Sequence, residues 1–237
     1  MKFNKEKFFN NIIANSLIVF MLIMVCAFGF RDQVNAVFNG DKLKAIYHGN
    51  LSNNNVSLMV NVYWGTEYLD GMLKVLHDAD IKVTFFVGGM WVSENQELLQ
   101  RFIDEGHEIG NHGYYHKDHD KISLERNKEE ISITHELVKS LTGYEMNLFA
   151  PPSGAYNDTT LNVADSLGYR TIMWSKDTID WRDKDTNLIF KRAVAQPKNG
   201  DLILMHPTYN TLEALESIIK FYKDNNYNLV TVSQNLS

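Results

Sequence analysis

Three histidines lie close together in the stretch GNHGYYHKDHD, which spans residues 110–120. His112 and His116 are four positions apart, and His119 follows three positions later, in a chain that has eight histidines in total. Imidazole nitrogens bind zinc, cobalt and nickel, so this cluster could hold a divalent metal that activates water. Two loop histidines that bind no metal are the alternative interpretation, because short histidine pairs are common.

Strand-like and helix-like stretches alternate from residue 56 to the C-terminus. VSLMVNVYW (56–64) is apolar and rich in β-formers, and the next segment, TEYLDGMLKVLHDAD, carries apolar residues at helical spacing. Further along, SLERNKEEISITHELVKSLTG predicts a long amphipathic helix. We count seven β/α pairs or partial pairs and no glycine-rich phosphate loop. The pattern predicts an α/β fold with a parallel sheet, a distorted TIM-like (β/α)7 barrel.

The chemically unusual residues follow the predicted strands. In chain order these are Tyr63, Trp64 and Glu67 after the first strand, the histidine cluster after the third, APPSG (150–154) after the fourth, DTIDW (177–181) after the fifth, and His206 after the sixth. Active sites of barrels form at the carboxyl ends of their strands. We therefore expect His112, His116, Asp180 and His206 to converge on one pocket.

Five sequence blocks resemble those of a known family. KVTFFVGG, GHEIGNHGYYH, FAPPSG, WSKDTIDW and LILMHP are similar, in order and spacing, to the blocks of the polysaccharide deacetylases, carbohydrate esterase family 4, whose domain is called the NodB-homology domain. The resemblance covers roughly residues 57–232. It implies the NodB-homology barrel and removal of N-acetyl groups from chitin, peptidoglycan or a related glycan, assisted by a divalent metal.

The resemblance also implies roles for the matching residues. His112 and His116 would bind the metal, and His206, oriented by Asp180, would be the general acid that protonates the leaving amine. We expect His119 to be a solvated side chain. The residues expected in the substrate pocket are Trp181, Leu204, Tyr63, Trp64 and Pro152.

The first block departs from the family pattern. The family ends its first strand with two aspartates before a glycine, the water-activating base and the third metal ligand, but here NVYWG places Tyr63 and Trp64 there. The arginine that braces the base is replaced by Ala150. An arginine without its aspartate would be an unpaired, partly buried charge, so losing both residues destabilises less than losing one. We expect any metal to be weakly bound.

Catalysis without the first-block aspartates could proceed by two routes. Two classes of function also stay open. Glu67 could substitute for the lost carboxylate, or His206 with Asp180 could act as both base and acid. The favoured interpretation is a weakly active, metal-dependent deacetylase that acts on N-acetylated glycan of the cell wall, peptidoglycan or chitin-like. The alternative is a catalytically inactive member that binds glycan or a partner protein.

The N-terminus predicts a membrane segment. Lys2, Lys5 and Lys7 precede a charge-free run over residues 8–30, which exceeds the roughly 20 apolar residues that a spanning helix needs. We expect a membrane anchor or signal segment at 1–35, a linker at 36–55 and the deacetylase domain at 56–237. An uncleaved single-pass anchor would place the domain outside the cytoplasm.

Cysteine content and net charge limit the chemistry and the partners expected of the exported part. The only cysteine, Cys26, lies in the apolar run, so the exported part would contain no disulfide. Removing residues 1–35 takes away four of 23 basic and two of 29 acidic residues, which leaves 19 and 27 and a net charge of −8. A surface of that sign excludes nucleic acid as an expected partner.

Overall fold

The computed structural model describes residues 43–237. The predicted anchor at residues 1–35 lies outside the described residues. Within the described part, no helix combines the length and the apolar character needed to cross a bilayer.

Parallel strands form one curled sheet. Its order is β5-β4-β3-β2-β1-β7-β6, and β8 pairs with the start of β1. The strands are β1 Asn55–Val62, β2 Thr84–Val87, β3 Glu108–Asn111, β4 Leu148–Phe149, β5 Arg170–Thr171, β6 Lys176–Asp177, β7 Leu202–Met205 and β8 Asn228–Leu229. The predicted α/β class is therefore confirmed. The predicted distorted (β/α)7 barrel is confirmed in part: the seven strands of the path form a half-barrel, and no strand pairing joins β5 to β6 among the described residues.

Helices follow most of the strands and cover the outer face of the sheet. They are α1 Thr66–Asp78, α2 Gly89–Glu94, α3 Gln96–Asp104, α4 Leu124–Thr142, α5 Asp158–Ser166, α6 Thr186–Ala193, α7 Tyr209–Asp224 and α8 Val232–Asn235. The long helix α4 has the bounds that its sequence predicts. The Ser123 side chain accepts a hydrogen bond from Arg126 N at its start, and Gly143, with φ of 74°, ends it in the left-handed region.

The stretch before β1 bonds to β5, at one side of the open seam, and to the turn before β7. Ile46 N donates to Thr171 O over 2.9 Å, and Met173 N donates to Ile46 O over 2.7 Å. A few residues later, Gly49 N donates to Gly200 O over 2.7 Å. Residues that the sequence assigned to a linker thus belong to the hydrogen-bonded framework of the domain.

Two hydrophobic cores lie on opposite faces of the sheet. The outer core, between sheet and helices, contains the ring of Phe102 stacked between Phe85 (4.0 Å) and Trp91 (5.8 Å). The inner core lies inside the half-barrel and contains Met59. Because side chains alternate along a strand, Asn61 also faces inward, above Met59 at the carboxyl end of β1. The inner core therefore ends in a polar residue.

We expect removal of residues 44–51 to destabilise the domain. A chain that begins at Ser52 loses the hydrogen bonds of Ile46 and Gly49, at about 1 kcal/mol each, so its free energy of unfolding should fall by roughly 2–4 kcal/mol relative to a chain that begins at Lys44. Urea unfolding followed by circular dichroism measures the difference. Equal stability of the two chains would show that this stretch is a linker in energetic terms.

Candidate functional site

A pocket of about 560 Å³ opens at the carboxyl ends of the strands. It brings together six of the residues that the sequence singled out, from the loops after β1, β3, β6 and β7. These are Trp64, His112, His116, Trp181, Leu204 and His206. The predicted convergence of distant sequence blocks on one pocket therefore holds for these residues.

The carboxylate of Asp180 holds His206 in place. Asp180 Oδ1 accepts from His206 Nδ1 over 2.8 Å, while Oδ2 accepts from the backbone His206 N over 2.6 Å and from Thr211 Oγ1 over 2.5 Å. The carboxylate is buried, and these three bonds satisfy it. With Nδ1 engaged, His206 presents Nε2 as the ring nitrogen available to the pocket.

Asp177 shapes the turn that delivers Asp180. Its Oδ1 accepts from Ile179 N over 2.8 Å, and Ile179 has a φ of 53°, which a β-branched residue rarely adopts. The side-chain bond stabilises the strained turn. Asp177 itself lines the pocket.

His112 and His116 lie side by side, with ring centroids 5.1 Å apart. His112 is buried, and its Nδ1 donates to Ala150 O over 2.7 Å, which leaves Nε2 as an acceptor. Burial, reinforced by neighbouring His116, holds the pKa of His112 well below its usual value, and burial also lowers the pKa of His116. Both shifts favour the neutral imidazole, the form that can bind a metal.

Tyr63 and Trp64, which stand at the two family aspartates, point in different directions. The Trp64 indole stacks on the His206 ring, with centroids 5.7 Å apart and planes 6° apart. Tyr63 packs on His116 at 4.9 Å, and burial and the charge of nearby Glu130 raise its pKa. Tyr63 is therefore behind the histidines and does not line the pocket, although the sequence placed it there.

The donor set does not fit a metal centre with three protein ligands. His112 and His116 supply two imidazoles, and an indole replaces the third ligand. Glu67 is exposed on α1 and does not line the pocket. In the part of the chain that the structure describes, no group of three or more His, Cys, Asp or Glu side chains is arranged to hold a metal ion. The sequence expectation of Glu67 as a substitute carboxylate gains no support from this geometry.

Two other expectations change with the structure. Pro152 is buried outside the pocket lining, where its neighbour Ser153 takes the place expected of it. His119 is not solvated, as the sequence suggested, but fully buried. Its Nδ1 bonds to Asn127 Oδ1 over 2.6 Å, and Asn127 Nδ2 donates back to His119 O over 3.0 Å. His119 therefore stabilises the loop between β3 and α4.

Glu130, which the sequence did not single out, anchors the loop that carries His112 and His116. It lies on α4 with its side chain fully buried. Glu130 Oε2 accepts from Tyr114 N over 2.8 Å and from Tyr115 N over 2.6 Å, and Oε1 accepts from Arg126 over 2.6 Å. In the sequence it is one of several charged residues of an amphipathic helix, and nothing in the helical period distinguishes it.

Four further lining residues received no individual role from the sequence: Asn61, Ser153, Trp174 and Asp177. Ser153 lies in the APPSG block, and Trp174 and Asp177 lie in the WSKDTIDW block, but the block pattern does not show which of its residues face the pocket. Asn61 is a polar residue at an inward position of β1.

Comparison with known proteins places this site in a family. A family model described as polysaccharide deacetylase matches residues 48–172. The protein YlxY of Bacillus subtilis is 40% identical over 189 residues, which cover 80% of this chain and 59% of YlxY. The peptidoglycan-N-acetylmuramic acid deacetylase PdaA of Bacillus subtilis is 29% identical, over 84% of this chain and 77% of PdaA.

A similar crystal structure is that of BA3943 from Bacillus anthracis, described as a pseudoenzyme of carbohydrate esterase family 4. Its TM-score is 0.80 at 34% identity, over 82% of this chain and 69% of that one. A mutant of BA3943, similar to this chain to the same degree, is described as having restored enzymatic activity.

The chain belongs to the polysaccharide deacetylase family, carbohydrate esterase family 4. Members of this family are metal-dependent deacetylases. The chain spans 59% of the length of YlxY, so it does not account for the whole of that relative.

We expect Glu130→Gln to destabilise the histidine loop. The amide cannot accept from both Tyr114 N and Tyr115 N through one oxygen while also binding Arg126, so the free energy of unfolding should fall by about 2 kcal/mol. Glu129→Gln is the matched control, because Glu129 also binds Arg126 but is exposed. Equal effects of the two substitutions on urea unfolding would show that Glu130 is not an anchor.

Proposed function

We propose that this chain is a glycan-binding member of the family that does not hydrolyse N-acetyl groups efficiently. The observation that carries the proposal is Trp64, an indole at the position of the third metal ligand that stacks on His206. The indole cannot bind a metal, and it covers one face of the imidazole that would deliver the proton. The proposal departs from the sequence-based preference for an enzyme.

The pocket retains features that suit a sugar. The indoles of Trp64 and Trp181 are 42% and 55% exposed, an unusual position for side chains of this size. Aromatic rings at a pocket wall stack on the apolar faces of sugar rings, and Leu204 adds an apolar surface for an acetyl methyl. The expected ligand class is an amino-sugar glycan of the peptidoglycan or chitin type, as the named activity of PdaA suggests.

A second candidate function is weak deacetylation, and one observation favours it. The Asp180–His206 pair is intact, with 2.8 Å between Oδ1 and Nδ1. A pure binding protein has little need for an oriented imidazole that can donate a proton. Any zinc, cobalt or nickel that assists would be held by His112 and His116 alone, and so weakly.

Acetate release separates the two candidates. The unaltered protein should bind N-acetylglucosamine oligomers, measured by titration calorimetry, but release no acetate from them. The triple variant Tyr63→Asp, Trp64→Asp and Ala150→Arg with added zinc should release acetate at least about 100-fold faster, because a general base contributes 10²–10⁴-fold. Tyr63→Asp alone should change little, since Trp64 still occupies the ligand position.

The control for the triple variant is the same protein with His206→Ala added. If the gain depends on the retained acid, this change abolishes it. Brisk acetate release by the unaltered protein would contradict the binding proposal and support the enzyme. Failure of the unaltered protein to bind any N-acetylated or de-N-acetylated glycan would contradict the proposed function altogether.

We further propose that the chain is anchored in the cell membrane with its domain outside the cytoplasm. The support is the sequence pattern of lysines before a charge-free run at residues 8–30. Protease added to intact cells should degrade the domain and leave an N-terminal fragment. Protection of the domain until the cells are lysed would contradict this topology.

A further inference from the structure

Three of the four tryptophans of the chain line one pocket. Trp64, Trp174 and Trp181 come from three different loops, whereas Trp91 is buried in the outer core. Indole faces attract cations as well as apolar sugar faces, because their ring quadrupole presents negative charge. Aromatic cages of this kind recognise quaternary ammonium ligands, and a primary ammonium group is attracted to an indole face by the same quadrupole.

The pocket lining carries negative charge and no fixed positive charge. Asp177 contributes a carboxylate, and none of the described lining residues is lysine or arginine. Asp177 Oδ1 is occupied by Ile179 N, but Oδ2 makes no hydrogen bond within the described residues. Two guanidinium groups lie nearby but outside the lining: Arg182 lies over the Trp181 ring at 5.9 Å, and Arg192 donates to Thr178 O over 3.0 Å. Both pair with Asp183 and neither donates to Asp177. A cationic ligand therefore meets an available carboxylate oxygen.

Two other polar side chains of the pocket, Asn61 and His112, offer acceptor atoms for a hydrogen-bond donor of the ligand. Asn61 is 4% exposed, and its buried Oδ1 has no hydrogen-bond partner within the described residues. His112 donates through Nδ1 to Ala150, so its Nε2 is an acceptor. An acetamido group brings one N–H to these acceptors, whereas a protonated amine brings three and a positive charge.

We propose that the pocket recognises the protonated amine of a de-N-acetylated amino sugar in preference to its N-acetylated form. The inference rests on the proposed glycan-binding function and deepens it. The amine lies among the indoles, with Asp177 Oδ2, Asn61 Oδ1 and His112 Nε2 as acceptors. The chain thus binds glycan from which deacetylation has already removed the acetyl groups.

Calorimetric titration of the unaltered protein with two oligosaccharides tests the preference. The probes are a glucosamine hexamer and an N-acetylglucosamine hexamer with the same linkage. The glucosamine hexamer should bind at least about tenfold more tightly, because a hydrogen bond to a charged group contributes about a factor of ten or more and a cation–π contact adds to it.

Asp177→Asn is the informative variant. Asparagine keeps an oxygen for Ile179 N, so the turn before Asp180 is retained, but the negative charge is lost. The preference should fall to about threefold or less, because the charge that distinguishes the protonated amine from the acetamido group is gone. The matched control is Glu216→Gln, which removes the same charge from an exposed position of α7 and should leave the preference unchanged.

Each other outcome has a distinct meaning. Binding of the acetylated hexamer as tightly as, or more tightly than, the free amine overturns this inference and leaves the proposed function intact. An equal effect of Glu216→Gln and Asp177→Asn also overturns it, because the attraction then comes from the surface as a whole. Cadaverine is a diamine without a sugar ring. If it displaced the bound glucosamine hexamer at the same concentration as glucosamine does, the assignment of the ligand to a sugar would be overturned. Absence of binding to either hexamer contradicts the proposed function itself.

Discussion

The buried carboxylate of Asp180 is the constraint on which the pocket depends. It accepts hydrogen bonds from the backbone and ring of His206 and from Thr211, and so joins the loop after β6 to the end of β7 and the start of α7. A buried carboxylate is stable only when its oxygens are satisfied, so these elements hold one relative position. Trp181, the next residue, and Trp64, stacked on His206, take their places from this arrangement.

The loss of the first-block aspartates leaves this framework intact. The substitutions at positions 63, 64 and 150 alter side chains at the rim and in the inner core, whereas Glu130 still anchors the histidine loop. A site of this kind can exchange hydrolysis for recognition without a change of fold, because the groups that shape the pocket are distinct from those that activate water. The described pseudoenzyme BA3943 shares the fold at a TM-score of 0.80.

The sequence predicted the long elements, since β1 and α4 carry clear periodicity and end signals, and it predicted six of the ten residues that line the pocket. It missed β6, because lysine and aspartate, the two residues of that strand, are depleted in strands. The open seam was also beyond prediction, because a missing hydrogen-bonded pair leaves no sequence pattern. The burial of Glu130 and His119 was missed for a related reason. It follows from how one loop folds over α4, whereas glutamate and histidine side chains are, by residue type alone, expected to be exposed to solvent.

The placement of the tryptophans gives the protein a built-in optical reporter. Indole fluorescence depends on polarity and on quenching groups nearby, and an imidazole in contact with an indole is one such group. Trp64 is stacked on His206, and Trp174 and Trp181 share its pocket, so three of the four tryptophans lie at the site and Trp91 reports on the core. Changes in emission at constant temperature will therefore signal events in the pocket more than changes in the fold.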